Sequence, residues 1–214
     1  MAVSWTEENS AQESINAWTH GLGFIASLPA GWTLGVLAAE HRPAMISACA
    51  VYSVSLTAMY LFSTLSHAVR DPGWRHIARA WDQGTVYLLI AGTFTPFICG
   101  YMEGWQLPGM LLVVWATAAM GFYSKVIARH RLNNMTSITY VLLGWFPALL
   151  LIAHVPLVCF ASMALGGVLY TVGTRFLQND HRRWYFHAIW HLLVIIASAC
   201  HYTAIVLFPI LERA

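Results

Sequence analysis

The chain has 214 residues, 58% of them hydrophobic and 9% charged, with a formal net charge of +2 at pH 7. A water-soluble domain carries charge on about a quarter of its residues, so this composition excludes an ordinary soluble fold and points to an all-α, polytopic membrane protein. The small net charge gives no basis for a nucleic-acid partner.

Residues 1–15 read as a short polar tail holding Glu7, Glu8 and Glu13 and no basic residue. That is the wrong composition for the start of a cleavable signal peptide. A bilayer-spanning helix needs about 20 apolar residues. Seven segments qualify in chain order, at roughly 16–39, 45–68, 82–101, 108–128, 136–153, 156–174 and 185–208, leaving 209–214 as a short tail. The joints between them are short and polar, so the pattern predicts one seven-helix bundle and no second domain. Cys49, Cys99, Cys159 and Cys200 each fall inside an apolar run, far from one another. With no paired spacing they suggest neither a disulfide framework nor a thiolate metal site.

Of the 11 Lys and Arg residues, all but Arg42 and Arg213 fall in or at the edge of the joints after the second, fourth and sixth segments. Cytoplasmic loops collect basic residues. The N-terminus is therefore expected inside and the C-terminus outside. Trp74, Trp81, Trp105 and Trp184 fall near the expected interfaces, where amphipathic rings anchor a bundle.

Ionisable groups at bilayer depth are costly and normally face the bundle interior. His67 closes the second segment, Asp82 opens the third, and His187 and His191 lie early in the seventh. Arg70, Arg79 and Arg183 stand close by in sequence, which puts all four groups near the cytoplasmic ends of their helices, in one layer. His187 and His191 share a helix face, about 6 Å apart along the axis. His201 projects from a similar face but about 15 Å beyond His191, too far to share a coordination shell. His201 and His20 read as packing or polar-network groups. Ser63 and His67 are also spaced i, i+4 on the second segment. Three neutral imidazoles suit zinc with a fourth position open to water, the pattern of catalytic rather than closed structural sites. Asp82 could hydrogen-bond that water or serve as general base. From the first turn of its helix, it would also sit where the helix dipole favours a carboxylate. The soluble zinc-protease pattern HExxH has a Glu beside the first His, where this chain has Ala188. A base must therefore come from another helix, and Asp82 reads as the only carboxylate at that depth.

NAWTHGLGF, FSTLSHAV, DQGTVYLLIAGTFTPF and FHAIWHLLV, in that order, resemble the hemolysin III family, the bacterial branch of the progestin and adiponectin receptor superfamily. The resemblance spans essentially all seven segments. It implies a multi-pass protein of the bacterial plasma membrane, with a cytoplasmic N-terminus and a zinc ion near the cytoplasmic side. The ligands would be His67, His187 and His191, with Ser63 and Asp82 around the bound water. The superfamily is similar to alkaline ceramidases, which implies a zinc-dependent hydrolase of lipid amides or esters in membrane-lipid homeostasis. The family's name implies instead a membrane-perturbing, pore-forming protein. A receptor-like sensor with a structural zinc is the third reading.

Overall fold

A computed structural model describes residues 7–128 and 134–212. Among the described residues there are seven α-helices: α1 (Glu7–Ala38), α2 (Pro43–Ala68), α3 (Pro72–Tyr101), α4 (Gln106–Phe122), α5 (Asn134–Leu151), α6 (Leu157–Gln178) and α7 (Phe186–Ile205). α4 and α7 each run on into a π-helical turn, Tyr123–Ile127 and Val206–Glu212. Six helices are long and apolar enough to cross a membrane, and α5 supplies a shorter apolar stretch, Ser137–Leu151. The chain is thus an all-α membrane protein. Arg129, Arg131 and Arg213, all counted among the basic residues above, lie outside the described residues.

Local signals set most boundaries. Pro43 and Pro72 occupy the first turns of α2 and α3, where a missing N–H costs nothing because no intrahelical acceptor exists there. Asp71 caps α3 by accepting from the Trp74 amide at 2.9 Å, which satisfies one of the donors a helix start leaves free. Gly104, in the α3–α4 turn, has φ 55°, a conformation that side chains with a Cβ disfavour.

Three expected boundaries move, the first being the C-terminal one: residues 209–212, read as tail, continue the helix to Glu212, with Pro209 and Ile210 buried. α3 begins at Pro72, so Asp82 lies well inside it and the helix-dipole argument for that carboxylate falls away. The joint WRHIARA is not loop. Arg75 and Ala78 are buried on one side of it while His76 and Ile77 face outward, so it continues α3 as an amphipathic extension. α1 likewise begins at Glu7 rather than near residue 16.

α3 is the central helix, buried without interruption from Ala91 to Cys99. It packs against α2, α4, α5 and α7, while α1 packs on α2 and α7, and α6 on α5 and α7. At Gly92 the α2–α3 contact is close enough that a Cβ would lie 2.7 Å from Ser55 Oγ. The outer face of α1 carries an exposed stripe of Trp18, Leu22, Ile25, Leu28, Trp32 and Val36. An outward surface that apolar suits hydrocarbon rather than water. Trp74, Trp105 and Trp184 are also exposed, as interfacial anchors require. All four cysteines are free.

α1, α2, α3, α5, α6 and α7 enclose a cavity of about 390 Å³, and no described residue of α4 lines it. Its middle is walled by apolar side chains such as Met59, Leu89, Phe94, Trp145, Met163 and Val194. His67, Asp82, His187 and His191 all line it as well. The ends of α2 and the starts of α1, α3 and α7 therefore meet at one end of the bundle.

Candidate metal centre

The potential ligand atoms of His67, His187 and His191 all lie within 4.8 Å of one another. Their rings meet edge to face: His67 and His187 centroids are 4.9 Å apart, His67 and His191 5.1 Å, and His187 and His191 4.7 Å. The spacing of α7 places two of them on one face, and the α2–α3–α7 packing brings the third.

Each imidazole is held at Nδ1 by oxygen. His67 Nδ1 donates to Glu13 Oε2 at 2.6 Å, and His187 Nδ1 to Asp180 Oδ2 at 3.2 Å. Both acceptors are carboxylates, which offer no proton, so each imidazole must carry hydrogen on Nδ1. The Thr19 hydroxyl donates to the Asn16 carbonyl at 2.8 Å. His191 Nδ1 therefore donates to Thr19 Oγ1 at 2.9 Å and toward the Asn16 carbonyl at 3.2 Å. With hydrogen on every Nδ1, each ring in its neutral form presents an Nε2 lone pair. His67 Nε2 is buried without a hydrogen-bond partner among the described residues. A buried acceptor left open beside two others suits a metal ion better than a closed polar network. Metal-binding histidines characteristically donate their other N–H to a carboxylate or carbonyl. The donor set, three neutral imidazoles, matches zinc with a position left open. The residues present fit the ion that the sequence implied.

Asp82 stands beside this trio rather than within it. The Ser66 hydroxyl, shared with the Ser63 carbonyl at 2.9 Å, donates to Asp82 Oδ2 at 3.1 Å. Ser63 faces the same carboxylate, but its shortest bond runs elsewhere, from Oγ to His20 Nδ1 at 2.7 Å. Ser63 thus meets the site through Asp82 and His20.

Three participants were missed in the sequence. Glu13 is a second carboxylate lining the cavity, held also by Arg79 Nη2 at 3.1 Å; reading residues 1–15 as tail hid it. Asp180 was passed over as loop. His20, read as packing, stacks on His191 with centroids 3.6 Å apart and planes 12° from parallel. The spacing of NAWTH, which puts Asn16 and His20 four apart on one face, was the available signal.

The Glu13 bond gives a direct expectation. Glu13→Gln keeps the shape but removes the charge facing His67 and loosens Arg79. Loss of such an outer partner costs 10–100-fold in metal affinity. Competitive zinc titration against a chromophoric chelator should show a loss in that range; unchanged affinity would mean that the Glu13–His67 bond contributes nothing to the site.

The Haemolysin-III related family model matches residues 9–202. The chain is 36% identical to Hemolysin-3 of Bacillus cereus over 213 residues, covering 95% of this chain and 94% of that one. It is 34% identical to the Hemolysin-3 homolog of Bacillus subtilis (strain 168), covering 92% and 94%. It is 28% identical to the monocyte to macrophage differentiation factor of Homo sapiens over 163 residues, 72% of this chain and 67% of that one. No solved structure matches it.

Proposed function

The chain belongs to the haemolysin-III related family, and we propose that it holds zinc on His67, His187 and His191 and hydrolyses an amide or ester bond of a membrane lipid. We place it in the bacterial plasma membrane, with this end of the bundle toward the cytoplasm and a role in membrane-lipid homeostasis. One observation carries the reading: three imidazoles, each with Nδ1 committed to oxygen, open onto a largely apolar cavity that also holds a carboxylate. A closed structural site would need neither the cavity nor the carboxylate.

When bound, zinc supplies Lewis acidity and lowers the pKa of water toward neutrality. The rest of the chemistry falls to the chain's own residues. Glu13, Asp180 and Thr19 keep the imidazoles in one tautomer and one orientation. The apolar walls take the acyl chain and exclude bulk water from the reacting end. Asp82, oriented by Ser66, accepts the proton of the attacking water. The water oxygen bonds to the lipid carbonyl carbon, the C–N or C–O bond breaks, and Asp82 returns the proton to the departing amine or alcohol.

The second reading, membrane perturbation, draws on the name of the Bacillus cereus relative. Against it, the ionisable groups lining the cavity crowd one end, with His201 standing further along, whereas a pore formed by one bundle needs polar lining through its full depth. The two separate in one experiment. Protein purified without chelators is reconstituted in vesicles of bacterial lipid doped with ceramide, with an entrapped dye. Zinc-dependent release of free fatty acid, without dye leakage, is expected. Zinc-independent leakage without fatty-acid release would put the haemolytic reading first. Loss of thermal stability on chelation, with neither release nor leakage beforehand, would favour a structural zinc in a sensor.

A further inference from the structure

The metal centre accounts for one end of the cavity and leaves a second polar group unexplained. His201 also lines the cavity. It is 6% exposed, and its Nδ1 is buried with no hydrogen-bond partner among the described residues. From position 191 to position 201, α7 rises about 15 Å. Between the two ends the walls are mainly apolar.

The surroundings hold this ring in place without satisfying it. It stacks on Tyr170, with centroids 5.7 Å apart and planes 17° from parallel. Tyr170 does not pair with it, since the Tyr170 hydroxyl is engaged with Ser198 Oγ at 2.8 Å. On α6, a Cβ at Gly166 would lie 2.6 Å from His201 Nε2, so the glycine makes room for the imidazole. A polar ring packed this closely and left unpaired in an apolar wall is unfavourable unless a ligand completes it. Neutral imidazole has one donor and one acceptor nitrogen, which suits a hydroxyl or carbonyl oxygen.

We propose that His201 is the far-end anchor of the cavity, hydrogen-bonding an oxygen at or near the terminus of an acyl chain whose carbonyl end lies at the histidine trio. The preferred ligand class is then a straight apolar chain with a hydrogen-bonding oxygen at each end, of a length set by the distance along α7. The inference rests on the reading that the cavity takes a lipid acyl chain.

The test is a binding measurement that needs no turnover. Zinc-loaded protein in phosphatidylcholine nanodiscs is given tritiated dodecanoate, which is displaced with unlabelled dodecanoate, hexanoate or the ω-hydroxy form of either. The ω-hydroxy form of the long chain should displace about three- to tenfold better than dodecanoate, the worth of one neutral hydrogen bond. The short chain, unable to reach, should show no such gain over hexanoate. His201→Phe keeps an aromatic ring against Tyr170 and should abolish the preference while leaving dodecanoate affinity unchanged. Equal displacement by the two long chains in the wild type, or a preference that survives in His201→Phe, overturns the anchor and leaves the lipid cavity standing. Failure of the wild type to bind any of the chains removes the cavity reading itself, and the anchor with it. The chain-length comparison uses only wild-type protein, so it decides the matter even if His201→Phe does not fold.

Discussion

Protein carrying His187→Ala and His191→Ala should purify without zinc, whereas the wild type, prepared without chelators, should carry about one zinc ion per chain on elemental mass spectrometry, the stoichiometry of a single three-histidine site. The effect is expected to be all or none at micromolar metal. The double substitution leaves only His67 of the trio, and one imidazole does not hold zinc against buffer and solvent. The same variant supplies a thermodynamic check. A ligand that binds only the folded state stabilises it by about 4 kcal/mol at a thousandfold excess over Kd. Added zinc should therefore raise the melting temperature of chelator-stripped wild type and leave the double variant unmoved. Asp180 and Thr19 lose their imidazole partners in the variant, so a modest loss of basal stability is expected and does not bear on the metal. Full zinc occupancy in the double variant would place the ion elsewhere. Absence of zinc from both proteins would leave the imidazoles as a buried polar network, and the hydrolase proposal would fall behind the membrane-perturbing one.

The histidine trio was legible because two independent signals converged on it. The i, i+4 spacing of His187 and His191 fixes a shared face regardless of tertiary structure. The arginines flanking the helix ends then fix depth, which brings His67 into the same layer. The seven helices were legible for a similar reason, since an apolar run long enough to span a bilayer is a local property. What was not legible depends on packing. The bond between Glu13 and His67 joins residues separated by most of two helices, and it becomes visible only once α1 is known to start at Glu7 and to lie against α2. Asp180 reaches His187 because the chain turns tightly between α6 and α7, and a loop carboxylate gives no periodic signal. The misplaced start of α3 has a different cause. Arg75 and Arg79 were counted as evidence for loop, although Asp71 and Pro72 together form a helix start and an amphipathic turn can carry charge into the interface. Correcting that start moves Asp82 from a helix end to a helix interior, so its role must rest on position beside the trio rather than on the helix dipole.

The Asp82→Asn variant should lose about 10²–10⁴-fold in turnover of the lipid, the range that a positioned general base supplies, while keeping its zinc. The substitution is close to isosteric. The amide oxygen can still accept from the Ser66 hydroxyl that now donates to Asp82 Oδ2 at 3.1 Å, so orientation survives and only basicity is lost. Metal occupancy should not change, because Asp82 lies outside the group formed by His67, His187 and His191. Glu13 makes a useful comparison, being, with Asp180, one of two further carboxylates that line the cavity near the trio. If Glu13 acts only by holding His67, the Glu13→Gln defect is one of metal affinity, and excess zinc restores turnover. The Asp82→Asn defect is one of proton transfer, and no concentration of zinc restores it. Fatty-acid release measured across a zinc series for both variants separates the two roles. Rescue of Asp82→Asn by zinc would make that carboxylate a metal partner. An Asp82→Asn enzyme of undiminished rate, beside a Glu13→Gln enzyme that zinc cannot rescue, would move the base to Glu13 and assign its bond to His67 to the resting protein alone.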